Sequence, residues 1–132
     1  MGPLTRRRFL ALAAGSLASL PATLRGERAP FRHPDPRPGV DGSRVLDASG
    51  VPPHVAELYD QIRGIPEVAD GIGCHCGCAD IPGMYSLLSC YEGPGMASFC
   101  QICQGEGRMA YRLHREGHTL DEIRAAIDRR FG

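Results

Sequence analysis

Three cysteines at alternate positions, Cys74, Cys76 and Cys78, enclose His75 and Gly77, and three more follow as Cys90, Cys100 and Cys103. No cysteine precedes Cys74. Sulfurs gathered in so short a span suit three chemistries: soft-metal ligation, disulfide bonding and thiol redox exchange. Metal ligation matches best. A tight loop with sulfurs at every second position can turn two of them toward one ion. Cys100 and Cys103 would present a second pair on one helix face. Two such pairs make a four-sulfur site, with Cys90 and the third loop cysteine as further ligands. Thiolates suit Cu(I), Zn(II) and iron–sulfur clusters. A structural zinc takes four ligands, so six sulfurs favour Cu(I), either as a small thiolate cluster or at a site that passes metal on by ligand exchange. The spacing departs from the ferredoxin runs. His75 is a candidate imidazole ligand, while Met84, Met96 and Met109 read as packing residues.

Two alternatives remain. In a disulfide scaffold, residues two apart are not expected to bond to each other, because the bond needs a particular Cα separation and torsion. Each loop cysteine would then need a distant partner, and three bridges would fan from one short loop. In a thiol redox protein, Cys100-Gln101-Ile102-Cys103 has thioredoxin-like spacing at a helix start, where thiol pKa values fall. That motif normally follows a strand in a βαβ unit, and no strand pattern precedes it. No Ser/His/Asp arrangement, phosphate loop or paired-carboxylate site stands out. The expectation is therefore a non-enzymatic protein, with a metal donor or acceptor protein as its partner.

Positioning these sulfurs falls to helices. Val55, Leu58, Tyr59 and Ile62 recur at helical spacing after Pro52-Pro53, and Gly64 ends that run. Ile65 to Asp70 reads as one more helical turn, with Pro66 and Glu67 at its start. Gly71 and Gly73 lead into the cysteine loop. Asp80-Ile81-Pro82-Gly83 is a turn, and a short helix is expected from Met84 to Tyr91 with Cys90 on its last turn. Ser98 is the expected N-cap of a helix running to about Glu116, with Phe99, Ile102, Met109 and Leu113 as its packing stripe. Gly105 and Gly107 should weaken it, by roughly 1 kcal/mol each relative to alanine. Gly117 stops it. Thr119 and Glu122 form a capping box for a final helix whose inner stripe is Leu120, Ile123, Ile127 and Phe131. No period-2 run reads as a strand. The fold class is all-α, a small compact domain of three to four helices around a Cys-rich loop, spanning 51–132.

The region ahead of that domain is organised differently. Arg6-Arg7-Arg8-Phe9-Leu10 precedes a short apolar run, Ala11 to Leu20, and residues 1–22 read as a signal peptide of twin-arginine type. The run is too short to cross ~30 Å of hydrocarbon, so no stable membrane span is expected, although an uncleaved segment would retain the chain at the membrane. The destination is extracytoplasmic, in the periplasm or at the cell exterior, where cysteines are paired or metal-bound. Residues 23–50 read as a disordered Pro/Gly/Arg-rich linker in which His33 is solvated and Val45-Leu46 is the pair suited to dock. All fifteen basic residues are arginine; setting aside Arg6, Arg7 and Arg8 leaves twelve against fifteen acidic residues, a net of −3. A mildly acidic body with no basic stripe argues against a nucleic-acid partner.

The run Ile72-Gly73-Cys74-His75-Cys76-Gly77-Cys78 resembles the signature of the bacterial PCYCGC-motif proteins, small exported or lipid-anchored proteins of undefined function. The likeness extends through Ser86 to Tyr91, through Ala97 to Cys103 and into Leu120 to Asp128, covering roughly 52–131 with all six cysteines matched. Gly73 stands where the family has proline and His75 where it has tyrosine, and the lipid-bearing cysteine of many members is absent. The resemblance implies an extracytoplasmic, metal-related role and names no reaction.

Overall fold

The computed structural model describes residues 30–93 and 95–132. The expected signal peptide and the first part of the linker lie outside the described residues. Four α-helices carry the fold: α1 Pro53–Arg63, α2 Pro66–Asp70, α3 Gln101–Arg115 and α4 Leu120–Phe131. Single 3-10 turns at Ala48–Gly50, Cys78–Asp80, Leu88–Tyr91 and Met96–Ser98 join them. No strand occurs among the described residues, apart from an isolated bridge between Val45 and Glu92. The all-α expectation holds.

Local signals in the sequence explain the ends of these helices. Prolines open α1 and α2, where a missing N–H costs nothing. Thr119 accepts from the Glu122 N–H, and the Glu122 side chain accepts in return from the Thr119 N–H. At the end of α3, Gly117 at φ +90° lets its N–H reach the His114 carbonyl and the His118 N–H reach the Leu113 carbonyl. This is a Schellman stop.

The core forms where α1, α3 and α4 meet the segment 72–91. Val55, Leu58, Tyr59 and Ile62 of α1 are buried with Ile72, Leu87, Leu88 and Tyr91, and with Ile123 and Ile127 of α4. Tyr91 packs edge-on against Tyr59, with ring centroids 4.9 Å apart, and donates to the Cys103 carbonyl at 2.8 Å. A Cβ at residue 107 would lie 2.0 Å from the Tyr91 hydroxyl, and one at residue 105 would lie 2.9 Å from Phe131. The two glycines of α3 therefore bring aromatic rings against the helix backbone, a role that propensity alone does not reveal.

Two expected elements differ. The Met84–Tyr91 helix is only the 3-10 turn Leu88–Tyr91. The Ser89 hydroxyl accepts from the N–H groups of Tyr85 and Ser86, and the Leu87 N–H bonds the Ile72 carbonyl, so these donors are spent outside a helix. In α3 the packing stripe is rotated from its expected position. The helix starts at Gln101, with Cys100 and not Ser98 as N-cap, and Cys103, Gln104, Glu106, Gly107, Ala110 and Leu113 are buried. Phe99 is 75 % exposed and Ile102 39 %.

Among its described residues, from Pro30 on, the linker holds no helix beyond the single turn at Ala48–Gly50, as its prolines require. Its expected solvated course is replaced, from Phe31 onward, by packing on the helices. Arg37 clasps the fully buried Asp70 through its backbone N–H at 2.8 Å, Nη2 at 2.8 Å and Nε at 3.1 Å. Ser86 donates to the same carboxylate. Burial pushes the Asp70 carboxyl up, but the Arg37 and Ser86 hydrogen bonds outweigh it and hold the group below the usual carboxylate value. Arg124 of α4 donates to the carbonyls of Gly71 and Pro34, and Tyr85 donates to the Asp35 carbonyl. Val45 is buried, and the Leu46 N–H bonds the Tyr91 carbonyl at 3.0 Å. Proline density ruled out regular structure here, but it did not rule out side-chain docking.

Candidate metal centre

The cysteine loop is held from behind by residues 31–33. Gly73 donates its N–H to His33 Nδ1 at 3.1 Å, and a Cβ at Gly73 would lie 2.7 Å from the Arg32 carbonyl oxygen. Proline at 73 would lose that donor and collide. The Phe31 ring stacks on the His75 imidazole, with centroids 3.8 Å apart. Gly73 and His75 therefore both touch this strap. The His33 contacts correct the expectation of a solvated side chain: its ring also bonds Asp128 at 3.0 Å and is 10 % exposed.

Four sulfurs meet in front of the loop. Those of Cys74, Cys76, Cys90 and Cys103 all lie within 4.8 Å of one another, and the four side chains are placed to hold a metal ion. Cys74–Cys76 is 3.2 Å, Cys74–Cys103 is 3.4 Å and Cys76–Cys103 is 3.6 Å. An ion with bonds of about 2.3 Å to four tetrahedral sulfurs sets them about 3.8 Å apart, so the group is of ion-binding size. Cys74, Cys90 and Cys103 are buried and Cys76 is half-exposed. The adjoining cavity, lined by Cys74, Cys78, Met84, Tyr85 and Ser86, is only about 10 Å³. That is room for about one water and not for an organic substrate.

Cys78, Cys100 and His75 stand outside the four. Cys78 is bonded to Cys76 in a disulfide across a Cα separation of 5.5 Å. The sequence argument against a bond between residues two apart fails because Gly77, at φ +85°, turns the chain in the left-handed region and brings both sulfurs to one side. Cys100 precedes α3 in extended backbone, so the one-turn pairing with Cys103 does not apply. Its Sγ instead accepts from the Cys103 N–H at 3.4 Å. The His75 ring sits in a polar network. Its Nδ1 lies 2.5 Å from Glu106 Oε1, which also accepts from the His75 backbone N–H at 3.0 Å. Its Nε2 is 3.0 Å from Asp128 Oδ1 but out of line for a hydrogen bond.

Glu106 is the residue that sequence reasoning missed. It is fully buried, its Oε2 has no partner among the described residues, and its carboxyl sits beside the Cys74 thiol. A carboxylate three residues beyond Cys103, on the helix face that Ala110 and Leu113 continue, was the available signal. Burial, then the charge of Cys74, pushes the Glu106 carboxyl up to about 9. Burial likewise lowers the His75 imidazole. Hydrogen bonds from Cys103 and then Cys90 bring the Cys74 thiol down to about 3. The contacts with Cys74 and Cys90, and then burial, push Cys103 up. For Cys90 the Cys103 contact favours the thiolate, but Cys74 and burial outweigh it and the thiol rises. Among Cys74, Cys90 and Cys103 the thiolate is favoured at Cys74, and a cation would displace the remaining protons.

No family model, curated protein or solved structure matches the chain. Among the described residues no helix is long and apolar enough to cross a membrane. The cysteine cluster is placed to bind a metal ion, and its geometry does not specify which one.

Proposed function

We propose that this protein is an exported carrier or buffer of a soft metal ion, Cu(I) in first place and Zn(II) in second, held by the thiolates of Cys74, Cys76, Cys90 and Cys103. The convergence of four sulfurs inside a buried, ion-sized space carries the reading. The four converging donors are all sulfur, and such a set suits soft ions. The sulfurs of Cys74, Cys76 and Cys103 form a nearly equilateral triangle, a trigonal face that Cu(I) would accept readily once Cys76 is a thiolate. Export through a twin-arginine signal and kinship with the PCYCGC-motif proteins belong to the same proposal. Export of the folded chain would let the ion be loaded before it meets an oxidising compartment. A partner protein would then take the ion by thiolate exchange.

The test is an anaerobic purification from the cytoplasm with metal analysis, visible spectrum and free-thiol count. Colourless protein with stoichiometric copper is the expected result, and stoichiometric zinc would shift the assignment to the second ion. Brown protein with iron and labile sulfide would overturn the reading in favour of a cluster. Metal-free protein without free thiols would make it a disulfide scaffold.

A further inference from the structure

Cys76 belongs to two groups at once. Its sulfur is one of the four placed to hold an ion, and it is also bonded to Cys78. A sulfur in a disulfide is not a thiolate and does not ligate as one. The two states of Cys76 therefore exclude each other. Cys76 is also the half-exposed member of the four, next to the exposed Gly77, whereas Cys74, Cys90 and Cys103 are at most 3 % exposed. Of the four residues Cys76 is the one least shielded from outside reagents.

We infer that the Cys76–Cys78 pair is a redox gate on the metal site, opened by an external dithiol and closed by an external disulfide. The inference rests on the reading that the four-sulfur group holds a metal. In opening, a thiolate of the dithiol attacks the Cys76 sulfur. The Cys76–Cys78 bond breaks, a mixed disulfide forms at Cys76, and Cys78 leaves as a thiolate that takes a proton. The second thiolate of the reductant then attacks its own bound sulfur. The reductant departs as a cyclic disulfide and Cys76 is freed as a thiolate. Two electrons pass from the dithiol to the cysteine pair, and Cys76 becomes the fourth ligand beside Cys74, Cys90 and Cys103. Closing runs the same steps in reverse. Two electrons pass to the external disulfide, and the ion loses a ligand and is released. Cys78 serves here as the resolving thiol and not as a ligand. This gives the Cys-x-Cys spacing across Gly77 a purpose that four-ligand binding alone does not.

The test uses the full-length protein and Cd(II) as the thiolate probe. One sample is reduced with a phosphine. A second is oxidised anaerobically with oxidised glutathione and its disulfides are mapped by mass spectrometry. Both are desalted and titrated with Cd(II) against a competing chelator. Reduced protein should bind tightly. Protein carrying the Cys76–Cys78 bond should bind roughly tenfold or more weakly. Cys78→Ser lacks the resolving thiol, so oxidised glutathione should stop at a mixed disulfide on Cys76, seen as a glutathione adduct by mass spectrometry, and Cys100→Ser should keep the wild-type response. Cys78→Ala replaces the serine variant if that one fails to fold. The gate is overturned if the mapped oxidised protein binds as tightly as the reduced. It is equally overturned if oxidation joins other cysteines instead, or if the Cys78 variant carries no glutathione on Cys76 after the same treatment. Failure of reduced wild type to bind Cd(II) at all would overturn the metal reading itself, an outcome distinct from these.

Discussion

At the residue scale, the site is a charge-sharing arrangement as much as a set of ligands. Cys74 carries a thiolate while the adjacent Glu106 keeps its proton. The two shifts oppose each other in stability. Glu106 is raised in the folded state, so the unfolded chain loses that proton first, and stability falls as pH rises from about 4.3 toward 9. Cys74 is lowered, so the folded state loses that proton first, and stability rises with pH over the same window up to the ordinary thiol value. Metal-free wild type carrying the Cys76–Cys78 bond should therefore show nearly flat stability between about pH 7 and 8, above the range where the lowered His75 adds its own rising slope. Glu106→Gln keeps an acceptor for the His75 N–H and removes one of the opposing slopes. Its stability should climb with pH by up to about 1.4 kcal/mol per unit, read from urea midpoints. A variant as flat as the wild type would show that the two groups are not coupled. The cysteines were conspicuous in the sequence, and their spacing was enough to suggest a four-sulfur site. Which four was not legible, because membership depends on where α3 begins. A shift of two residues, from Ser98 to Cys100 as N-cap, turned Cys100 into a cap and left its place to Cys90. Glu106 was hidden for the same reason, since its burial follows from the true phase of α3.

At the element scale, the helices read best where the signal was local. The apolar face of α1, the capping box of α4 and the stop at Gly117 depend on residues within a turn or two. The segment Met84–Tyr91 and the face of α3 depend on distant partners such as Ile72 and Tyr91, and sequence spacing misplaced both. Gly107 shows the difference in energetic terms. On an exposed helix, Gly→Ala gains about 1 kcal/mol. Here the new methyl would meet the Tyr91 hydroxyl at 2.0 Å in a packed interior. Gly107→Ala should therefore destabilise by about 1–3 kcal/mol in chemical denaturation. Adding Tyr91→Phe, which removes the colliding oxygen, should restore part of that loss. A stabilised Gly107→Ala variant would contradict the close approach.

At the scale of the whole molecule, the N-terminal strap and the helices make one unit around the cysteine loop. Phe31 and His33 back the loop, and Arg37 ties the strap to Asp70 at the end of α2. Arg37→Ala would leave a buried carboxylate with Ser86 as its remaining side-chain partner and should cost roughly 2–3 kcal/mol near neutral pH. Because the folded Asp70 value is depressed, the wild type holds this stability above about pH 4 and loses it as pH falls through the folded value. The gap between wild type and variant should therefore narrow in acid, and a gap that stays constant with pH would deny the ion pair its role. The central claim is that these parts converge four sulfurs, and no other donors, on one ion. X-ray absorption at the metal edge of anaerobically loaded, reduced protein tests this most directly. The account predicts a first shell of sulfur alone, at about 2.3 Å for zinc. A shell containing imidazole nitrogen or carboxylate oxygen would contradict it.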